Sequence, residues 1–283
     1  MDRRHFIKKS SFMLLSLNSL SAMANRWGNS PKMPVLFIGH GNPMNAIEDN
    51  AYSQSWRRLG AELPVPNAIL CISAHWQSKG TRVTAMPNPK TIHDFYGFPK
   101  ALHEQHYKAP GNPQLAQSIA EKVDITTIEM DHEWGLDHGA WSVLLPMFPD
   151  ASIPVLQLSL DLKRNPQQHF ELARELDFLR KKGVLIIGSG NLVHNLRYFF
   201  RSTQTFDWAV EFDEQAKKLI DQRNFQSLIH YQELGHAAAM SIPTNEHYLP
   251  MLYTLALADS EEDISYFNED VTVSVSMRSF VIS

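Results

Sequence analysis

Short, almost wholly apolar runs recur along the chain, separated by segments patterned as helices. Val35–Ile38 and Val184–Gly188 contain no polar side chain, and Ala68–Ser73 and Val155–Ser159 contain very few. A strand with no polar side cannot leave one face in water, so these runs need cover above and below. Further strands are expected at Arg82–Met86, Ile125–Glu129 and Val271–Ser276. Helices are expected at Asn45–Leu59, Pro113–Val123, Gly139–Met147, Pro166–Lys182, Asp207–Asp221 and Glu246–Ala258. No repeat, linker or low-complexity tract divides residues 33–283. The pattern predicts a single α/β domain with a central, mostly parallel or mixed sheet flanked by helices on both faces.

Composition removes several classes of function. A hydrophobic fraction of 43% supports a sizeable core and excludes a disordered chain. A net charge of −4 without a long basic run argues against nucleic-acid binding. Cys71 is the single cysteine, so neither an intramolecular disulfide nor a cysteine zinc cluster can form. Against that one cysteine stand 13 histidines, a surplus that calls for a chemical reason.

Residues 1–24 read as an address. Met1 to Ala24 has a basic start, a moderately apolar middle and an Ala22-Met23-Ala24 end, the layout of an export signal cleaved before Asn25. Arg3 and Arg4, followed by Phe6, Ile7 and Lys8, resemble a twin-arginine signal. The apolar stretch is too short and too interrupted by Ser and Asn to span a bilayer, so no stable membrane insertion is expected. The expectation is a periplasmic protein exported folded by the twin-arginine machinery, with residues 25–32 as a short extension before the domain. Losing residues 1–24 would remove His5 and leave a more acidic chain.

Reactive side chains gather where strands end. The first strand runs into Gly39-His40-Gly41-Asn42-Pro43, the second into Ser73-Ala74-His75-Trp76, and Val184–Gly188 into Ser189-Gly190-Asn191-Leu192-Val193-His194. In open α/β sheets, ligands bind outside the carboxyl ends of the strands. His40, His75 and His194 could therefore share one rim, with His247 joining from the start of a helix. Taken singly, each has a plainer reading as a turn, core or surface histidine. Together they suit a divalent transition metal with open positions, for which imidazole is a neutral ligand. The chain lacks H-E-x-x-H, G-x-S-x-G and G-x-G-x-x-G, which disfavours a zincin peptidase, a serine hydrolase and a dinucleotide site.

Six separated segments sharpen this reading: VLFIGHGNPM, SAHW, TIHDFYGFP, WGLDHGAWSVLLPMFPDASIPVLQLSLD, GSGNLVHNLR and NEHYLPMLY. In content and order they resemble the class III extradiol ring-cleavage dioxygenases, and most closely the bacterial DOPA 4,5-dioxygenase-like branch. The resemblance runs from about Met33 to the chain end; the export signal departs from the usual members. It implies one divalent metal ion per chain, Fe(II) for activity or Zn(II) as in some relatives. His40 and His75 are then ligands, with a third from the NEHYLP segment: His247, or Glu246 as the alternative. It further implies that His194 is the acid–base residue and that His138 and His93 face the substrate. The partners would be O2 and a small aromatic diol, a DOPA-like catechol opened to a muconic semialdehyde. The rival reading is a zinc-binding protein on the same scaffold, a hydrolase or interaction module without oxygenase activity. Trp56, Phe199 and Phe200 are expected in the core, whereas Trp76, Phe95, Tyr96 and Phe98 are candidates for the pocket.

Overall fold

The computed structural model describes residues 32–283. The segment expected to be an export signal, and most of the expected extension, therefore lie outside the described residues. An eight-stranded mixed sheet runs β4-β3-β5-β2-β6-β1-β10-β7, formed by β1 (Val35–Gly39), β2 (Ala68–Ser78), β3 (Thr81–Thr84), β4 (Ile128–Asp131), β5 (Val155–Asp161), β6 (Val184–Gly190), β7 (Ile264–Phe267) and β10 (Ser279–Ile282). Its centre, β5-β2-β6-β1, is parallel. On one side β10 and β7 continue antiparallel from β1, and on the other β3 runs antiparallel to β5.

Side chains alternate across a strand, and the sheet faces divide the core accordingly. Val35, Phe37, Leu70, Ile72, Leu156, Leu158 and Ile186 pack beneath the helices Pro113–Lys122, Pro166–Arg174, Asp207–Asp221 and Leu249–Leu255. Leu36, Ile38, Ile69, Val155, Leu185 and Ile187 pack on the other face against Trp56 of the helix Ala51–Glu62 and Trp141 of the helix His138–Met147. Each such aliphatic side chain contributes roughly 1.5–3 kcal/mol on burial, which makes the two-sided cover the main source of stability.

Several element boundaries differ from expectation, each for a visible reason. The helix expected over Asn45–Leu59 is a 3-10 turn, Pro43–Ala46, followed by Ala51–Glu62. Asn50 starts the second piece: its side chain accepts from the Tyr52 and Ser53 amides while Ser53 Oγ accepts from the Asn50 amide. Pro166–Lys182 is two helices, Pro166–Arg174 and Asp177–Arg180. Glu246–Ala258 begins only at Leu249, so Glu246 and His247 lie in the turn before it. The alternating Val271–Ser276 segment is not one strand but a two-stranded ribbon, β8 (Val271–Thr272) and β9 (Val275–Ser276), because the chain reverses at Val273 with φ +55°. A β-branched residue is costly there. It is held by the Val273 carbonyl accepting from the Phe206 amide and by Asn195 N–H donating to the Ser274 carbonyl. β4 starts three residues late, and the edge strand β7 and its neighbour β10 were not anticipated.

Arg180 is fully buried, where a cation survives only if every donor is engaged. It donates to the Met33 carbonyl at 2.8 Å, the Leu257 carbonyl at 2.7 Å and both oxygens of Glu262. Burial would raise the Glu262 carboxyl, but the bonds from Arg180, the Asp259 amide and Lys32 outweigh it and bring it from 4.5 down to about 2. A depressed carboxyl adds stability above pH 4.5, and that stability is lost as pH falls towards 2. Arg180→Leu should therefore destabilise the protein by about 1–3 kcal/mol near neutrality, because the Glu262 carboxylate then keeps only Lys32 and the Asp259 amide. In urea denaturation the deficit should shrink as pH drops from 4.5 towards 2. A pH-independent deficit would assign the loss to packing alone.

Candidate metal and catalytic centre

At the carboxyl edge of the parallel strands lies a cavity of about 840 Å³ whose lining includes His40, His75, Asp94, His138, His194 and His247. His40 leaves β1 into a turn that Gly41 makes at φ +58°, a conformation natural to glycine. His75 does not follow the end of β2, as expected, but sits inside it. Between Ile72 and Gln77 the pairing with β5 slips, and β5 advances only from Leu158 to Leu160. Such a bulge re-aims side chains at a sheet rim. His247 reaches the rim because Gly190 lets its backbone approach. A Cβ on Gly190 would stand 2.1 Å from the His247 carbonyl oxygen. Asn191 closes the junction, its amide donating to that carbonyl at 2.8 Å.

The hydrogen bonds behind these rings decide which nitrogen faces the cavity. Ser189 Oγ donates to the Gly139 carbonyl at 2.5 Å, so only its lone pairs remain for His40 Nδ1 at 3.0 Å. Asp94 Oδ2 lies 3.4 Å from His75 Nδ1, and Glu246 Oε1 3.1 Å from His247 Nδ1. Oxygens that can only accept place the proton on Nδ1 and leave Nε2 with a bare lone pair. His40 Nε2 and His75 Nε2 then stand 3.2 Å apart, lone pair towards lone pair. That pairing is unfavourable by itself and becomes favourable with a cation between the two nitrogens. Two nitrogens of a tetrahedral ion with bonds of about 2.0–2.1 Å lie roughly 3.3 Å apart.

Ring spacing separates ligands from neighbours. Imidazoles sharing such an ion have centres roughly 5 Å apart, given bonds of that length. The centres of His40, His75 and His247 are 5.1, 5.4 and 5.0 Å from one another. His138 also offers a ligand atom close to His40 and His75, but its ring packs against His75 at 3.8 Å, too close for side-by-side ligation. His194 lies flat on His247, centres 3.5 Å apart and planes 9° apart, beside the triangle of His40, His75 and His247 and not part of it. Glu246 could join His194 and His247 as a ligand set, yet its carboxylate faces His247 Nδ1 and takes the Thr244 hydroxyl. Ring spacing thus favours His40, His75 and His247 as the set for a divalent cation, although the ligand nitrogens that lie closest to those of His40 and His75 include that of His138.

Burial, reinforced by neighbouring imidazoles, holds His40 and His247 well below the usual imidazole range. It brings His75 down to about 3, despite the opposing charge of Asp94, and His194 to about 4. Neutral rings are what a metal requires. Burial would raise Asp94, but the hydrogen bond and charge of His138, with the charge of His75, outweigh it and hold the carboxyl below its usual value.

The sequence-expected residues divide clearly. His40, His75, His138, His194 and His247 converge, whereas His93 does not line the cavity. Its Nε2 faces the Gln105 carbonyl at 2.9 Å, and its ring lies among Phe95, His103, His106 and Trp141. The neighbouring Asp94 takes the place expected of it, contacting both His75 and His138. Phe199 and Phe200 line the cavity and are not core, while Trp76 is buried in a stack with Trp134. Ser189, whose oxygen faces His40 Nδ1, is a functional contact that the strand-end pattern alone did not single out.

Comparison with known proteins now adds its weight. Residues 34–279 match the family described as the catalytic LigB subunit of aromatic ring-opening dioxygenase. The chain belongs to this family. It is 46% identical over 262 residues to 4,5-DOPA dioxygenase extradiol of Escherichia coli (strain K12), covering 90% of this chain and 96% of that one. It is 35% identical over 232 residues to the enzyme of the same name from Beta vulgaris, covering 79% and 86%. The crystal structure of uncharacterized protein JW3007 from Escherichia coli K12 superposes with a TM-score of 0.77 at 41% identity, over 89% of this chain and all of that one. The mixed sheet flanked by helices is thus a family architecture.

Calorimetric titration with Zn(II) separates ligand from support. Replacing His247 by Ala should abolish tight binding. Glu246→Ala, which removes only the oxygen behind the ring, should weaken it roughly 10–100-fold. The reverse ranking would make Glu246 the ligand.

Proposed function

We propose that this chain is a metal-dependent extradiol dioxygenase that inserts both atoms of O2 into a catechol ring and releases a muconic semialdehyde. The observation that supports it most is the triangle of imidazoles His40, His75 and His247 with a proton-carrying residue, His194, stacked beside it. A divalent ion held by those three rings, Fe(II) for oxygen chemistry, would stabilise catecholate charge and bring the diol and O2 together. Neutral ligands would leave its charge to be balanced by a diol that has given up a phenolic proton.

The remaining work falls to the chain's own side chains. His194, buried and neutral, accepts a phenolic proton as the diol binds and returns it as the ring opens. His138, at the first turn of its helix and beside Asp94, lines the same cavity as His194 and serves to orient the diol and the oxygen. Phe95, Phe98 and Phe199 give the aromatic ring an apolar wall and keep water from the reacting carbons.

The twin-arginine pair supports export of the folded protein to the periplasm, consistent with a chain that needs no disulfide. Substituting Lys for both Arg3 and Arg4 should leave the protein in the cytoplasm on cell fractionation; undiminished periplasmic appearance would refute this route.

Fe(II)-loaded, reduced protein should consume O2 with a catechol and form a yellow product. His194→Ala should lower that rate about 10²–10⁴-fold while metal content stays near wild type. A wild-type protein that binds zinc but takes up no O2 with any catechol when iron-loaded would favour the non-oxygenase reading.

A further inference from the structure

The cavity has two unlike walls. One is apolar, formed by Phe95, Phe98, Phe199 and Val275, with exposed Tyr96 and Phe200 beside it. The other is a polar chain that starts at the metal end. Asn45 donates to the His40 carbonyl at 3.3 Å, Asn50 donates to Asn45 Oδ1 at 2.9 Å, and Asn50 also reaches Glu48 Oε2 at 3.5 Å. Along this chain Asn45 is buried, Asn50 half-buried and Glu48 exposed, so the wall climbs from the floor to the mouth and ends in a carboxylate.

The charges of this lining are one-sided. Asp94 and Glu48 line the cavity, whereas no Lys or Arg does among the described residues. Arg197 lies on the short helix Leu196–Phe199 between lining residues but is not itself part of the lining. Asp94 is occupied by His75 and His138, while Glu48 has only the long contact with Asn50. A carboxylate on a substrate's side chain would meet no counter-charge and would approach Glu48 with the same sign. An ammonium group would meet an acceptor at the mouth while its ring lay on the aromatic wall.

Resting on the ring-cleavage reading, we propose that the site selects catechols bearing a cationic alkylammonium side chain and disfavours those bearing a carboxylate, with Glu48 as the selecting residue. Unlike charges brought together at a partly exposed position change affinity modestly, and like charges oppose binding. The selection is therefore a graded preference.

The test uses the Zn(II)-loaded full chain, in which affinity is read by calorimetry without turnover. Three 4-substituted catechols of equal chain length are compared: ethylammonium, neutral propyl and propionate. The expected order is ammonium, then neutral, then carboxylate. Glu48→Gln should reduce the ammonium-to-neutral affinity ratio roughly two- to five-fold, and Glu48→Lys should reverse the ammonium-to-carboxylate order. Equal or stronger binding of the carboxylate by wild-type protein, or an unchanged ratio in Glu48→Gln, would overturn the proposal. Cleavage of the same three catechols by Fe(II)-loaded protein is the separate arm. If none is cleaved, the ring-opening reading fails whatever the affinities show. If cleavage occurs without charge preference, the charge-selection proposal fails while the ring-opening reading stands.

Discussion

Three bare imidazole nitrogens can be held together in a dry cleft only if the opposite nitrogen of each ring is committed elsewhere. Ser189 faces His40, Asp94 faces His75 and Glu246 faces His247, and each presents an accepting oxygen to Nδ1. This common feature sets the tautomer, leaves Nε2 of each ring with a free lone pair and makes the cavity a place for a cation. Ser189 is itself directed, because its hydrogen is spent on the Gly139 carbonyl. The same helix start is pinned by Asp137, which caps it and accepts from Ser73 Oγ and Gln157 Nε2, both at 2.7 Å.

The larger architecture keeps these oxygens and rings in register. Parallel strands β1, β2 and β6 deliver His40, His75 and Ser189 to the same edge, and the bulge in β2 turns His75 inward. The segment closing the far side, including Met277 and Val275, is anchored by Arg278. That side chain is buried and pairs with Asp213 at 2.6 Å, and also with Glu214 and Glu269. Removing Arg278 or Asp213 would leave the other charge unpaired in the interior, so this pair enforces a particular placement of the wall.

Much of this could be read in the sequence, because the central strands announce themselves by lacking polar residues, His40, His194 and His247 follow glycine-rich or turn segments, and His75 ends an apolar run. The two-sided sheet and the meeting of His40, His75, His194 and His247 were legible for that reason. Other features depend on contacts between distant segments. Val271–Ser276 has the alternation of a strand, yet a left-handed Val273 imposed by Asn195 and Phe206 folds it into a ribbon. His93 and Asp94 are adjacent, and nothing local tells which of them turns into the cavity. Phe199 and Phe200 look like core residues until their short helix is placed at the mouth. Buried Arg180 and Arg278 resemble any other surface arginine in the sequence, since their partners lie far away in the chain.

The central claim is that His40, His75 and His247, and no carboxylate, hold the ion. A crystal structure of the metal-reconstituted protein, with anomalous scattering recorded at the zinc edge, tests it most directly. The account predicts one ion bound through Nε2 of those three rings at about 2.0–2.1 Å, with His194 still stacked on His247 and Glu246 still behind it. An ion bound instead by His138, or by an oxygen of Glu246 in place of His247, would contradict it.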